Sequence, residues 1–146
     1  MSCLIRLRYE RRLNSKRTLL MHGDTLCTDD LDYQRFRDTV RAPEWQRIFL
    51  AKPLAERRAI ALGLRAQSEE AKGSKDMTLM DVNPHAVAKT FQDSGVTRIV
   101  HGHTHRPARH ELRVGQQLCE RWVLSDWHET APYLLCDSDG LRALEM

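Results

Sequence analysis

Histidine side chains are concentrated in residues 101–105 (HGHTH), which follow a β-branched run and end just before Arg106-Pro107. This pattern is typical of a strand that ends in a tight loop rich in nitrogen ligands for a metal ion. In an extended loop, His103 and His105 would point the same way because side chains alternate, and Gly102 would leave room for their approach. The stretch indicates the edge of a metal site; the alternative is a surface loop rich in histidine by chance.

A second candidate ligand, His22, follows a short apolar segment at residues 17–21. The loop after it is rich in carboxylates: Asp24, Asp29, Asp30 and Asp32. Such a loop could bind a cation. Equally, Asp29 or Asp30 could cap the helix that the spacing of apolar residues over 33–40 predicts.

Both histidine motifs come directly after predicted strands. Placing these strand ends side by side would bring His22, His103 and His105 together around divalent cations. Cations in such a site polarise a phosphoryl oxygen and lower the pKa of bound water, so that hydroxide forms near neutral pH. Hydrolysis of a phosphate ester or anhydride is therefore the reaction class that these residues favour.

The surrounding elements alternate between strand and helix. Residues 3–9 and 17–21 are predicted to form a hairpin with its turn at Asn14 and Ser15. A helix is predicted between an N-cap at Asn83 and a C-cap at Gly95, and it leads into a strand at 97–101. Further strands are predicted, largely antiparallel, at 110–114, 118–124, 133–136 and 141–144. A strand that follows a helix and ends in a functional loop is the α/β arrangement, so we predict an α/β fold.

Residues 42–75 form a helical and basic insert. We predict two short helices separated at Pro53, followed by a polar loop at 68–75. The apolar faces of such helices could pack as a core pair or could receive lipid, and composition alone leaves both open.

Composition is that of a soluble globular protein, with 146 residues, 41% apolar and a net charge of +3. Basic residues are concentrated in 1–17 and 41–75, which favours an anionic partner such as a phosphorylated substrate, a membrane surface or nucleic acid, or simply a solvated helix face. Without a signal-like apolar start, the chain is expected in the cytoplasm. The four cysteines form no CxxC pair and are expected to be reduced.

Three strings, in this order along the chain, carry a family resemblance: residues 21–30 (MHGDTLCTDD), 80–83 (MDVN) and 99–107 (IVHGHTHRP). They resemble the UDP-2,3-diacylglucosamine hydrolases of lipid A biosynthesis, which are calcineurin-like metallophosphoesterases. The first string is specific to these hydrolases. The resemblance implies the C-terminal portion of an αββα sandwich, and manganese-dependent water attack on the α-phosphate that releases UMP and 2,3-diacylglucosamine 1-phosphate.

The resemblance also implies roles for individual residues. His22 and His103 would bind one manganese ion and His105 the other, and these three residues would be catalytic. The implied substrate-binding residues are Asp30, Ser68, Lys72, Lys75 and His103; Lys72 stands where the family usually has Asn. Residues 42–75 would be a helical lid, inserted in a partial domain of residues 1–146, whose apolar faces receive acyl chains at the cytoplasmic side of the inner membrane.

One part of the family pattern is absent. No Asp-x-His, bridging Gly-Asp or Gly-Asn-Arg-Asp string precedes His22. Without a bridging carboxylate, two cations at close range repel each other, so at most one manganese ion is expected. We therefore expect the C-terminal part of a split or truncated hydrolase with a missing N-terminal half, inactive alone. The alternative is a non-catalytic remnant or lipid- and metal-binding module; nucleic acid, supported only by the Arg-rich start, is not expected as a partner.

Overall fold

A computed structural model describes residues 8–74, 80–127 and 130–146, with the side chains of residue 69 and residues 71–74 outside the described part. The chain divides into two compact units. The sheet unit comprises residues up to Leu26 together with Val82–Met146, and the helical unit comprises Cys27–Asp81. The strands of the sheet unit, together with the helices of both units, confirm the predicted α/β class.

Five strands form the main sheet, and two more form a separate hairpin. The main sheet contains β1 (Arg8–Leu13), β2 (Lys16–Met21), β3 (Arg98–His101), β4 (Ala108–Val114) and β5 (Gln117–Val123) in the order β1-β2-β3-β5-β4. The hairpin contains β6 (Tyr133–Asp137) and β7 (Gly140–Leu144). Strands β2, β3 and β5 are parallel, and the outer strands β1 and β4 are antiparallel to their neighbours.

The predicted hairpin at the start of the described chain is confirmed, with longer strands. Asn14 and Ser15 adopt φ values of 48° and 60°, the left-handed conformation of a two-residue hairpin turn. This turn matches the twist of its flanking strands, so β1 continues to Leu13, beyond the predicted end at residue 9. Residues 3–7 of the predicted strand lie outside the described residues.

Helices are numbered α1 (Leu31–Arg41), α2 (Pro43–Ala51), α3 (Leu54–Ser74) and α4 (Pro84–Ser94). The predicted interruption at Pro53 is confirmed. The predicted polar loop at 68–75 is wrong up to Ser74, because α3 continues through it. Glu, Ala and Lys are strong helix formers, and the single Gly73 costs only about 1 kcal/mol in a helix.

Helix α4 has the predicted ends. Asn83 Oδ1 accepts hydrogen bonds from the backbone N–H groups of His85, at 2.8 Å, and Ala86, at 3.1 Å. Gly95 closes the helix with φ 61°, and its N–H donates to Phe91 O. The helix is therefore held at both ends by local hydrogen bonds.

The core of the sheet unit lies between α4 and one face of the main sheet. Its buried residues are Leu19, Leu26, Val87, Phe91, Val96, Ile99 and Cys119. Among the described residues, Cys27, Cys119 and Cys136 form no disulfide, and Cys3 lies outside them, so the reduced state of the four thiols stays a prediction. Among the described residues, the helices lack the length and apolar character that a membrane span requires.

Candidate active site at the strand ends

The carboxyl ends of three parallel strands meet at one edge of the sheet. Met21, His101 and Val123 are aligned in register across β2, β3 and β5. Beyond this row, the Gly102 N–H donates to His22 O at 3.0 Å, and the Leu124 N–H donates to His101 O at 2.7 Å. The fold thus places the two histidine motifs side by side, as predicted from their positions after strands.

His22 and His103 form an imidazole pair at this edge. Their ring centroids are 5.0 Å apart, and the ring planes are inclined by 56°. His22 Nδ1 lies 3.1 Å from Oδ1 of Asp24, whose side chain is buried in the short 3₁₀ turn Asp24–Leu26. A carboxylate at Nδ1 favours the tautomer with its proton there, which leaves Nε2 as the nitrogen that can bind a cation.

His105 belongs to a different pair. Its Nδ1 lies 3.0 Å from Oδ2 of Asp126, and both side chains are partly exposed. Sequence reasoning did not single out Asp126. The signal that could have identified it is its position just after β5, the strand that lies beside β3.

The prediction that His103 and His105 point the same way from an extended loop is wrong. Their φ values are 69° and 50°, so both residues are left-handed rather than extended. The Thr104 N–H donates to Gly102 O at 2.9 Å, which closes a tight turn between them. In a turn of this kind, side-chain directions no longer alternate with period two, and the two rings consequently contact different partners.

The imidazole pair is not a complete metal site. In the part of the chain that the structure describes, no three His, Cys, Asp or Glu side chains are grouped so that they could hold a metal ion. His22 and His103 together could supply at most two ligands, whereas a catalytic metal takes three or more from its protein. The described residues therefore do not by themselves fit a manganese centre, and the metal-binding roles of His22, His103 and His105 stay predictions.

The carboxylates of the loop after His22 have separate structural partners. Asp24 lies beside His22, whereas Asp30 Oδ1 accepts the Tyr33 N–H at 3.1 Å and caps α1. Asp32 is exposed and lies 3.6 Å from Arg35. The sequence predicted either cation binding or helix capping for Asp30, and helix capping accounts for its position.

The predicted substrate-binding residues lie in both units. His103 belongs to the sheet unit, whereas Asp30, Ser68 and Lys72 belong to the helical unit. Ser68 is exposed on α3. Lys72 lies in α3 with its side chain outside the described part, and Lys75 lies outside the described residues. Their substrate contacts stay predictions.

An ionic cluster around the buried Glu120 connects the strands that lead to the site. Glu120 on β5 accepts from Arg98 Nε at 2.6 Å and from Lys16 Nζ at 3.2 Å, and Trp122 Nε1 donates to it at 3.3 Å. Burial opposes ionisation of Glu120, but the hydrogen bonds and positive charges of Arg98 and Lys16 together outweigh it and lower the pKa of this carboxyl. The cluster joins β2, β3 and β5 through charged side chains.

Several curated proteins similar to this chain are named UDP-2,3-diacylglucosamine hydrolase. They include the UDP-2,3-diacylglucosamine hydrolase of Aromatoleum aromaticum, 54% identical over 122 residues, which cover 84% of this chain and 50% of the relative. This chain is homologous to part of that hydrolase. The hydrolase of the same name from Bordetella pertussis is 49% identical over 89% of this chain and 53% of its own length. The hydrolase of the same name from Escherichia coli O157:H7 is 46% identical over 90% of this chain and 55% of its own length.

The chain spans about half the length of the curated relatives it matches. This share is consistent with the C-terminal part that the sequence predicted. No family model matches the chain.

Proposed function

We propose that this chain contributes to hydrolysis of the pyrophosphate bond of UDP-2,3-diacylglucosamine, which yields UMP and 2,3-diacylglucosamine 1-phosphate in lipid A biosynthesis. The observation that carries this proposal is the similarity to hydrolases of that name, at 46–54% identity over 84–90% of this chain. Because the chain spans about half of those relatives, we propose that it acts only together with segments that match their remaining length.

The imidazole pair is the part of the chain that we assign to the reacting phosphate. We propose His22 and His103 as two ligands of one manganese ion and His105 as a ligand of a second, with the other ligands supplied from outside the described residues. When bound, manganese would offset negative charge on the phosphoryl group and lower the pKa of water. Asp24 contributes by holding His22 through Nδ1, so that Nε2 keeps one direction.

The helical unit is the part that we assign to the acyl chains. Its exposed large apolar residues support this assignment: Leu31, Phe36, Ile48, Leu50, Leu54 and Leu62. We propose that the predicted lid, residues 42–75, receives acyl chains at the cytoplasmic face of the inner membrane. Asp30, Ser68, Lys72 and Lys75 would then contact the glucosamine phosphate.

A second candidate is a non-catalytic module that binds lipid or metal without turnover. The observation that favours it is the set of exposed apolar residues in the helical unit, which could bind lipid without a metal centre. This candidate keeps the lid and the imidazole pair but assigns them to binding alone.

UMP release from UDP-2,3-diacylglucosamine with manganese separates the two candidates. The chain would be assayed alone and mixed with the unmatched half of the Aromatoleum aromaticum relative. We expect no release from the chain alone, and release from the mixture that His103→Ala abolishes. His85→Ala is the matched control, because His85 is exposed on α4. Lipid binding without release from the mixture would favour the non-catalytic module, and release unaffected by His103→Ala would refute the role of His103.

A further inference from the structure

The first histidine of the HGHTH stretch, His101, contacts Gly102 and lies against Gly23, and it has no role in the function proposed above. It is the last residue of β3, and its side chain is fully buried, with 0% exposure. Its Nδ1 is 2.9 Å from Gly102 O, and its Nε2 is 2.9 Å from Arg121 Nη1 on β5. Both ring nitrogens thus contact backbone or side chain at the strand ends.

These two contacts define the protonation of the ring. A guanidinium only donates hydrogen bonds, so Nε2 must accept from Arg121. A carbonyl oxygen only accepts, so Nδ1 must carry the proton that reaches Gly102 O. His101 is therefore a neutral imidazole with its proton on Nδ1.

The same ring supports the neighbouring loop through Gly23. A Cβ at position 23 would lie 2.7 Å from His101 Nδ1 and 2.9 Å from Gly102 O. Gly23 also has φ 109°, a conformation that L side chains rarely adopt. The backbone after His22 therefore packs directly on the His101 ring, an approach that only glycine allows.

We propose that His101 is a positioning residue for the imidazole pair. Its ring holds Gly102, which precedes His103, and supports Gly23, which follows His22. Arg121 holds the ring from β5. One buried side chain thereby connects three strand ends and determines how His22 and His103 approach each other. The proposal concerns geometry, and it stands whether or not the proposed hydrolysis occurs.

The first test is nitrogen-15 NMR of the imidazole rings in the unmodified chain, without metal or substrate. We expect the His101 signals of a neutral ring with a protonated Nδ1 and an unprotonated Nε2. Arg121→Met should shift the Nε2 signal, because it removes the donor. A proton on Nε2, or a doubly protonated ring, would overturn the proposal. Because the test uses the unmodified chain, this result would count even if every His101 variant failed to fold.

The second test compares two replacements by the nuclear Overhauser cross-peak between the rings of His22 and His103. His101→Asn keeps an N–H near the position of Nδ1, so we expect the cross-peak to be retained. His101→Leu has no hydrogen-bonding group, so we expect the cross-peak to be lost while the fold persists. Val87→Ala is the control for general destabilisation, because Val87 is a core residue of α4.

Two results would contradict the positioning role. One is a cross-peak that persists in His101→Leu, and the other is an equal loss in Val87→Ala. Neither readout uses hydrolysis, so this inference and the proposed function can fail separately. If UMP release failed while both NMR results held, only the proposed function would be rejected.

Discussion

The two units use their apolar residues in opposite ways. In the sheet unit, α4 and the main sheet bury a continuous core that includes Phe91 and Ile99, which are 2% and 0% exposed. In the helical unit, none of the described side chains of α1, α2 and α3 is buried, and Leu62 is 69% exposed. Burial holds the strand ends of the sheet unit in place, whereas the helices depend on local caps and ion pairs.

This difference in burial suits the two units to different kinds of binding site. A site built on buried strands keeps its side chains in one arrangement, which suits an imidazole pair at 5.0 Å. Exposed apolar helix faces are adaptable and unsuited to precise chemistry, but they suit a flexible apolar ligand. Substitutions matched between the units test this contrast.

The largest effect is expected from truncation of the same residue type in both units. Phe91→Ala removes a core ring and should lower the free energy of unfolding by about 3–5 kcal/mol. Phe36→Ala, at a side chain 40% exposed in α1, should cost below about 1 kcal/mol. Urea unfolding measured by circular dichroism would show the difference. Equal costs would mean that the helical unit has a core of its own.

Glycine substitutions should have opposite signs in the two units. Gly23→Ala places a Cβ against His101 at a positive φ and should destabilise by about 1–3 kcal/mol. Gly63→Ala, in α3 with open space around the added Cβ, should stabilise by about 0.4–1 kcal/mol. Thermal unfolding of both variants checks the signs. A neutral Gly23→Ala would show that the approach to His101 is loose.

Substitutions at the helix caps of the two units should differ by a smaller free energy of unfolding. Asn83 accepts two backbone hydrogen bonds and Asp30 accepts one, so Asn83→Ala should cost more than Asp30→Ala within the usual range of about 0.5–2 kcal/mol. Asp30→Asn should preserve the cap and remove the charge. If Asp30 contacts substrate through its charge, this variant would lose substrate affinity at unchanged stability, as measured by calorimetry and thermal unfolding.

The smallest effect in free energy is expected from acid, because only the pKa difference of one carboxyl contributes. Glu120 has a folded pKa below its ordinary value of 4.5, so its contribution is complete above that value and is lost as pH falls through the folded pKa. Unfolding measured from about pH 7 to about pH 3 should show this loss, and Glu120→Gln should remove it. A profile unchanged by the substitution would exclude Glu120 as the source.

Local signals made several elements predictable. Asn83, Pro84 and Gly95 each meet a local requirement of a helix end, and α4 follows them closely. The hairpin turn at Asn14 and Ser15 also depends on adjacent residues only. The position of His22 and His103 at neighbouring strand ends was predictable because both follow strand-like runs.

Features that depend on contacts between distant residues were not predictable in the same way. Asp126 is 21 positions from His105, and Arg121 is 20 positions from His101. Only the parallel placement of β5 beside β3 makes these contacts. The continuation of α3 to Ser74 was also missed, because the helix-forming residues around Gly73 outweigh that glycine.

By itself, the sequence determined the residue types at the two strand ends, the caps of α4, the α/β class and the motif strings. Each of these depends on neighbouring residues. Tertiary structure alone decided that His103 faces His22, that His105 faces Asp126, and that a buried His101 lies between Gly102 and Arg121. The physical reason is that strand pairing and left-handed backbone at the loop orient side chains, and neither follows from the spacing of histidines along the chain.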